Sequence, residues 1–439
     1  MRQPATMAPA PDSATPKGAW TVTVMLLFYM LVNFADKIVV GLAGVPIMTE
    51  LKLSPEQFGQ LGSAFFLLFS IAAIAVGFVI NRVPTRHVIL VLATLWALVQ
   101  FPMVGAVSFT TLLICRIILG AGEGPAASVA LHAIYKWFPD HKRALPTALL
   151  TQGGAFGVML AVPTLNWVIV NYSWHHAFGV LGVVGLLWAL AWLVIGREGP
   201  LDEAAPAAAR DGVIDRVSYA RLLTAPTFIG CVLAAFGAYW ALSLGLTWFT
   251  PFIVQGLGIA QRDAGWISIL PWLMGAVTVF AAGWSSERLM ARGVSTRRAR
   301  GVLGAVPLLI GGGLILLVPW LPGSALQIGA IVLGSGLCGA IYVVCPTMIG
   351  EFAPSAQRGA VLAIYGALYT LAGIIAPTVM GSVVQRAGSM LDGYMMGFTI
   401  NGIVMVLAGV AGLILLRPNG ERARFGAATE RQTLAQART

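Results

Sequence analysis

Charged residues are scarce in this sequence, and their scarcity excludes an ordinary soluble protein. Only 10% of the 439 residues are charged and 58% are hydrophobic, whereas soluble domains carry about 25% charged residues. The four cysteines all lie in apolar segments and show neither metal-binding spacing nor a disulfide pattern. No polar segment is long enough to form a soluble domain. The chain is therefore predicted to be an all-α membrane protein.

Catalytic motifs are also missing. The sequence contains no HExxH, no paired His/Asp cluster and no nucleophile motif, so we expect no enzyme, no metal and no cofactor. A membrane-embedded enzyme and a non-transporting sensor are the alternatives that these absences disfavour, the sensor because no soluble domain is available. What the sequence does contain is a series of long apolar runs, and these point to transport.

Twelve apolar segments are long enough to cross a lipid bilayer as helices. An even number of crossings places both termini on the same side of the membrane. We predict the segments at residues 20–43, 57–80, 88–108, 110–134, 145–170, 175–196, 226–255, 262–284, 301–320, 325–349, 358–385 and 393–416.

Positive charges are distributed unevenly between the predicted loops. Of the 27 Lys and Arg residues, only Lys52, Arg262 and Arg386 fall in loops predicted outside, Lys37 and Arg116 fall within the membrane, and the other 22 fall in predicted cytoplasmic tails or loops. The positive-inside rule then places both termini in the cytoplasm. The expected location is the inner (plasma) membrane of the cell. The net charge of +10 is thus explained by topology, and no nucleic-acid partner is expected.

The two halves of the chain repeat a sequence pattern. FPDHKRALPTALLTQGGAFGVMLAVP begins at Phe138 and FAPSAQRGAVLAIYGALYTLAGIIAP begins at Phe352. A repeat at this offset predicts two six-helix bundles related by a parallel repeat. The predicted organisation is a disordered tail at 1–19, a bundle at 20–196, a cytoplasmic linker at 197–225, a second bundle at 226–417 and a cytoplasmic tail at 418–439.

Four ionisable residues lie deep within the apolar segments, all in the first half: Asp36, Lys37, Arg116 and Glu123. A charge at the bilayer centre costs at least about 2.5–3.5 kcal/mol, so such residues face a bundle interior or a water-filled cavity. Arg116 and Glu123 are seven residues apart and therefore project from one helix face. They could form a structural ion pair that locks two helices, or a charged site in a transport pathway; the rest of the chain favours the second.

Glycines separate these two charges. Gly120 and Gly124 form a small-xxx-small pair, which is typical of helices that approach another helix closely. We therefore expect a neighbouring helix to pack directly against this segment.

The motifs VNFADK (32–37), RIILGAGEGP (116–125), WFPDHKRA (137–144) and RGA…AGIIAP (358–377) resemble those of the major facilitator superfamily. More narrowly, they resemble the anion:cation symporter family, which includes sugar-acid transporters and the vesicular glutamate transporters. This resemblance implies alternating access and import of a small organic anion with protons. It also implies that Asp36 and Glu123 are the protonating carboxylates, and that Lys37 and Arg116 bind the substrate carboxylate.

The sequence departs from that family at several positions. Lys37 replaces a usual Arg, which removes bidentate binding, and Thr370 replaces a common Asn. Phe34 and Phe69 stand where sugar-acid relatives often have Tyr. Gly154 replaces a common Gln, although Gln152 is close by and stays a candidate. Fewer hydroxyl and amide partners favour an aromatic or short aliphatic carboxylate over a sugar acid.

The remaining candidates have structural alternatives. Asn33 fits either helix packing or the site, and Tyr239, Tyr365 and Tyr369 fit either a binding wall in the second half or lipid-facing packing. A proton-independent uniporter or exchanger, in which the carboxylates are only structural, is the alternative function. The expected partners are the organic anion, protons and the bilayer, and the chain is expected to be a monomer.

Overall fold

The computed structural model describes residues 15–80, 82–139, 142–201 and 217–418, and within them twelve helices are long and apolar enough to cross a membrane. This confirms the predicted number of spans. Most of the predicted tails and of the linker lie outside the described residues. The helices are α1 Ala19–Leu42, α2 Pro55–Val79, α3 Thr85–Val104, α4 Phe109–Tyr135, α5 Leu145–Asn171, α6 Trp174–Ile195, α7 Pro226–Thr247, α8 Gln261–Ala291, α9 Arg297–Trp320, α10 Ser324–Phe352, α11 Gln357–Arg386 and α12 Met390–Leu415.

The same helix pairs form in both halves. In the first half α1 packs on α5, α2 on α4 and α3 on α6, and in the second half α7 packs on α11, α8 on α10 and α9 on α12. Each pair in the second half is the counterpart of one in the first, six helices later. The fold is therefore two six-helix bundles related by a parallel repeat.

One predicted helix is interrupted before its end, and another extends beyond its predicted end. Helix α7 is regular to Thr247 and is interrupted at Trp248, because Pro251 has no N–H to bond the Thr247 carbonyl four residues earlier. Helical turns then continue over Phe249–Pro251 and Phe252–Gly256, which agrees with the predicted end near residue 255. Helix α8 continues to Ala291 although its last turns are polar. The Arg288 guanidinium lies 4.0 Å from the centre of the Trp284 ring, so these polar residues stabilise the helix end instead of terminating the helix.

The two halves meet closely at the end of the bundle where α1 ends and α2 begins, here called the closed end. A Cβ built on Gly59 would lie 2.4 Å from the Pro377 carbonyl oxygen, so only glycine permits this approach of α2 to α11. One turn further along α2, the Thr378 hydroxyl donates to Ser63 Oγ at 2.8 Å. Backbone and hydroxyl contacts thus join the first half to the second here.

An amide clasp completes the closed end. Asn166 of α5 donates from Nδ2 to the Gln261 carbonyl at 3.1 Å, and Gln261 of α8 donates from Nε2 to Asn166 Oδ1 and to the Leu42 carbonyl, both at 2.9 Å. These three residues come from α5, α8 and α1. Because every partner is uncharged, the clasp can form and break without leaving an ion unpaired.

The helices diverge towards the opposite end, here called the open end. Within the described range Phe69–Val79, no residue of α2 is buried. A Cβ built on Gly359 or Gly366 of α11 would meet nothing within 4 Å. Helix α2 therefore packs much less against α11 here than it does at the closed end.

Glu198 stabilises the first half at the open end. Its carboxylate accepts hydrogen bonds from the Thr85 N–H at 3.2 Å and the Arg86 N–H at 3.1 Å, and it pairs with Lys136 Nζ at 2.6 Å. Burial alone would raise the pKa of Glu198, but these donors hold that pKa below its usual range. The carboxylate therefore caps the first turn of α3 and ties α3 to the end of α4.

The predicted close approach at Gly120 and Gly124 is confirmed. A Cβ on Gly120 would lie 1.7 Å from the Phe65 carbonyl oxygen, and one on Gly124 would lie 2.0 Å from the Phe69 carbonyl oxygen. Helix α4 therefore packs directly against the backbone of α2, and this contact fixes the separation between the charged residues of α4 and the aromatic residues of α2.

We expect Gly120→Ala to destabilise the protein, because the methyl group would force α2 and α4 apart. Overpacking typically costs about 1–3 kcal/mol, and here the obstacle is backbone, which cannot rotate away. The measurement is the melting temperature in detergent, with Gly313→Ala of α9 as control since a Cβ there meets nothing within 4 Å. Equal melting temperatures for both variants would contradict this packing.

Candidate substrate and proton site

The adjacent charged residues Asp36 and Lys37 of α1 lie in different surroundings. Lys37 Nζ lies 3.4 Å from Glu123 Oε2 of α4 and donates to Asn33 Oδ1 one turn earlier on α1. Lys37 is 9% exposed and Glu123 is 1% exposed. Successive helical residues diverge by about 100°, so Asp36 points elsewhere. The ion pair of Glu123 is therefore with Lys37 across two helices, although Glu123 shares its own helix face with Arg116.

Asp36 has a neutral partner. Gln100 of α3 donates from Nε2 to Asp36 Oδ1 at 2.9 Å, and each residue is 1% exposed. The carboxylate thus sits between α1 and α3, within the first half. Of the two buried carboxylates, Glu123 is held by a cation and Asp36 by an amide.

Arg116 lies beside both carboxylates with donors to spare. Its Nη1 donates to the Asp36 backbone carbonyl at 3.4 Å, and its guanidinium carbon lies 4.6 Å from the centre of the Phe65 ring. The side chain is 5% exposed, and its Nε has no hydrogen-bond partner among the described residues. A buried guanidinium with a free donor is suited to receive an anion.

An aromatic series leads from Lys37 to the second half. Lys37 Nζ lies 4.4 Å from the centre of the Phe34 ring and 5.6 Å from that of Phe69. Phe69 contacts Phe66, with ring centres 6.0 Å apart, and Phe66 contacts Tyr239 of α7 edge to face at 5.6 Å. The predicted phenylalanines and the predicted second-half wall are therefore connected through one aromatic surface.

The three predicted tyrosines form one cluster. Tyr239 and Tyr369 have ring centres 5.2 Å apart, and Tyr369 and Tyr365 have ring centres 4.9 Å apart. Tyr239 and Tyr365 are buried, so lipid-facing positions do not describe them. The Tyr365 hydroxyl, although buried, has no hydrogen-bond partner among the described residues, which leaves it available to a ligand.

Thr370 and the α5 candidates have different surroundings. Thr370 Oγ1 lies 2.5 Å from Ser70 Oγ and donates to the Gly366 carbonyl at 2.8 Å, so its hydroxyl joins α11 to α2.

Gln152 is half-buried on α5. Two residues further on, a Cβ on Gly154 would lie 2.8 Å from the Phe34 ring, so Phe34 occupies the space that a longer side chain at 154 would need.

Sequence reasoning missed Gln100 and Trp272. The Trp272 ring of α8 packs edge to face on Phe34 with ring centres 6.0 Å apart. Since Phe34 also contacts Lys37, Trp272 is a residue of the second half that lies close to this cation. Gln100 carried a usable signal, because an uncharged amide in an apolar span must find a buried partner. Trp272 carried no such signal. The sequence has 13 tryptophans, and residue type alone does not separate one that lines the site from one that faces lipid.

The four charges balance while the site is empty. Lys37 pairs with Glu123, Arg116 donates to the Asp36 backbone carbonyl, and all four charges are close enough to interact electrostatically; the low dielectric strengthens every interaction between them. An arriving carboxylate would compete with Glu123 for Lys37, and a proton on Glu123 would remove the competitor. The arrangement can therefore couple the binding of an anion to the binding of a proton.

A family model described as Major Facilitator Superfamily matches residues 25–336 and 297–438 of the chain. Among curated proteins, the chain is 26% identical to a hexuronate transporter of Bacillus subtilis over 413 residues, which is 90% of this chain and 94% of that protein. It is 25% identical to a probable sulfoacetate transporter of Cupriavidus necator over 411 residues, covering 89% of this chain and 92% of that protein.

The fold matches solved transporters. A bacterial homologue of the human lysosomal transporter Spinster, in an inward-facing and unoccupied conformation, superposes with a TM-score of 0.75 at 18% identity, covering 92% of this chain and 98% of that one. At this identity the match establishes the twelve-helix fold and nothing about the cargo.

Proposed function

The chain belongs to the Major Facilitator Superfamily and is an organic-anion transporter, and we propose that it imports a small carboxylate by proton symport through alternating access. The observation that carries this proposal is the buried Lys37–Glu123 ion pair at 3.4 Å. At this pair a substrate carboxylate can take the place of Glu123 as the partner of Lys37, and a proton can neutralise the Glu123 that it displaces. The proposed location is the inner membrane, with the open end and both termini facing the cytoplasm.

The coupling follows from charge. When the substrate carboxylate binds Lys37 and Arg116, Glu123 loses its cation and takes up a proton, because an uncompensated carboxylate in low dielectric is costly. The loaded and protonated site carries nearly balanced charge and can be enclosed. The loaded but unprotonated site has an extra negative charge, which opposes enclosure and prevents transport of substrate alone.

Alternating access uses the contacts between the halves. The closed end is held by small-residue packing and by the neutral clasp of Asn166 and Gln261. Such contacts are individually weak, about 0.5–1.5 kcal/mol for a neutral hydrogen bond. The two halves can therefore separate at this end and meet at the other when the charge of the site allows it.

The proposed substrate has a carboxylate and an apolar body. Phe34 and Phe69 flank Lys37, and the aromatic surface continues to Tyr239. One relative is named a hexuronate transporter and another a probable sulfoacetate transporter. Sulfoacetate has no hydroxyl groups, so the names of these relatives include organic anions of both kinds. The aromatic lining favours the less hydroxylated kind here.

Uptake into proteoliposomes tests both parts of the proposal. We expect an aromatic or short aliphatic carboxylate to accumulate when the inside is alkaline, and sugar acids to enter several-fold more slowly. The panel contains benzoate-type, short aliphatic and hexonate or hexuronate substrates, with protein-free liposomes as the control. Uptake of hexonates alone would contradict the apolar pocket, and uptake without accumulation under a pH gradient would favour the uniporter or exchanger.

A further inference from the structure

The outer face of α8 shows where the membrane ends. A stripe of large apolar residues, spaced three or four positions apart, is 40–64% exposed on this helix: Trp266, Leu270, Leu273, Val277, Phe280 and Trp284. Trp266 and Trp284 are 18 residues apart, which is about 27 Å along a helix and close to the thickness of the hydrocarbon core, about 30 Å. Tryptophans are enriched at both membrane surfaces. Trp284 therefore lies at the membrane surface of the open end.

Arg288 lies one turn beyond Trp284 on the same stripe. Its guanidinium carbon is 4.0 Å from the centre of the Trp284 ring. The apolar stem of the arginine thus follows the stripe, while its charge is at the level of the lipid headgroups. The turn that joins α8 to α9 follows directly, so this turn lies in the headgroup layer.

The turn between α8 and α9 has a defined backbone. Gly293 has a φ of +76°, which favours glycine, and the Val294 N–H closes the helix end by donating to the Leu289 carbonyl at 3.0 Å. Arg300 then joins the start of α9 to α8, because its Nε donates to Ser286 Oγ at 3.4 Å. The residues on either side of the turn are therefore held close together.

Three arginines at this turn lack a partner within the part of the chain that the structure describes. Arg292, Arg297 and Arg298 are exposed, and their side chains form no hydrogen bond or ion pair with a described residue. Residues 286–298 contain four arginines and one acid, Glu287, so their net charge is +3. Clustered guanidinium groups suit a phosphate, which accepts paired hydrogen bonds from them.

The corresponding turn of the first half, at residues 81–87, is less basic. Of its two arginines, Arg86 is half-buried and donates to the Leu193 carbonyl at 3.3 Å, and Arg82 is the other. The positive-inside rule needs only an excess of positive charge on one side of the membrane. It does not require three exposed arginines at a single turn, so the cluster between α8 and α9 has a further role.

We propose that Arg292, Arg297 and Arg298 bind the phosphate of an anionic phospholipid, whose acyl chains lie along the exposed stripe of α8. The stripe leads directly to the basic turn, so one lipid molecule can contact both, whereas free phosphate can contact only the turn. The positive charge favours lipids with a net negative headgroup, such as phosphatidylglycerol, over zwitterionic phosphatidylcholine. This site is independent of the proposed symport.

The test is native mass spectrometry of the purified full chain with each lipid added in detergent. We expect phosphatidylglycerol to bind wild-type protein at least about tenfold more tightly than phosphatidylcholine with the same acyl chains. The triple variant Arg292→Gln/Arg297→Gln/Arg298→Gln should bind the two lipids within about twofold of each other. Excess inorganic phosphate should not displace phosphatidylglycerol, because it cannot use the apolar stripe.

The matched control is Lys52→Gln/Arg262→Gln/Arg386→Gln, which removes three exposed cations at the closed end and changes the net charge equally. It should keep the wild-type preference. Melting temperatures without added lipid report folding, and should the first variant misfold, Arg298→Gln replaces it with an expected loss of about threefold. Equal affinity of wild-type protein for both lipids, an equal loss in both triple variants, or displacement by inorganic phosphate would overturn the proposal.

Discussion

Glu123→Gln should abolish accumulation driven by a pH gradient while substrate-for-substrate exchange stays within a few-fold of wild type. The amide mimics the protonated carboxyl group and releases Lys37, which lies 3.4 Å from Glu123 Oε2 in the native structure. Substrate can then bind Lys37 at any pH, but no proton travels with it. The measurements are counterflow and gradient-driven uptake in the same proteoliposome preparation.

Glu351→Gln is the control for this variant. Glu351 lies on α10, the counterpart of α4 in the second half, and forms an ion pair with Arg300. It should retain accumulation, because its carboxylate is outside the proposed site. If Glu123→Gln concentrates substrate as wild type does, the coupling carboxylate is a different residue, and Asp36 is the next to test.

Arg116→Ala should weaken substrate binding by at least about 30-fold, since truncating one partner of a buried charge pair typically costs about 2–5 kcal/mol. Arg116 is 5% exposed and has a free donor at Nε among the described residues. Arg116→Lys keeps the charge but loses the planar fork, so we expect an intermediate loss of about tenfold. Isothermal calorimetry on purified protein measures both affinities.

The loss must be separated from unfolding. Arg288→Ala removes a cation that stacks on Trp284 at the end of α8, and it should bind substrate as wild type does. Melting temperatures of all three variants report their folding. Wild-type affinity in folded Arg116→Ala would show that Lys37 alone anchors the carboxylate.

The superfamily and the twelve spans were predictable because both depend on local sequence. Apolar runs of bilayer length specify spanning helices without knowledge of their neighbours, and the motif around Arg116 to Pro125 is read within one segment. The packing role of Gly120 and Gly124 was predictable for the same reason. The interruption of α7 at Trp248 was not, since the consequence of Pro251 had to be weighed against the apolar residues that continue past it.

The partners of the charged residues were not predictable from one sequence. Helix periodicity places Glu123 on the face of Arg116, but its ion pair with Lys37 depends on how far α1 approaches α4. The pairing of Asp36 with Gln100 joins residues 64 positions apart. Thr370 bonds to Ser70 across the two halves. Each of these depends on tertiary packing, to which the hydropathy pattern is insensitive.

Proton movement caused by substrate alone is the most direct measurement of symport. Proteoliposomes are loaded with a pH-sensitive dye, and the pH is equal on both sides at the start. The membrane potential is clamped at zero, and substrate is then added outside. Proton symport predicts that the interior acidifies together with substrate entry in wild-type protein, and that Arg116→Ala and protein-free liposomes show only the slow background of the free acid. Substrate entry through wild-type protein without acidification beyond that background would contradict proton symport.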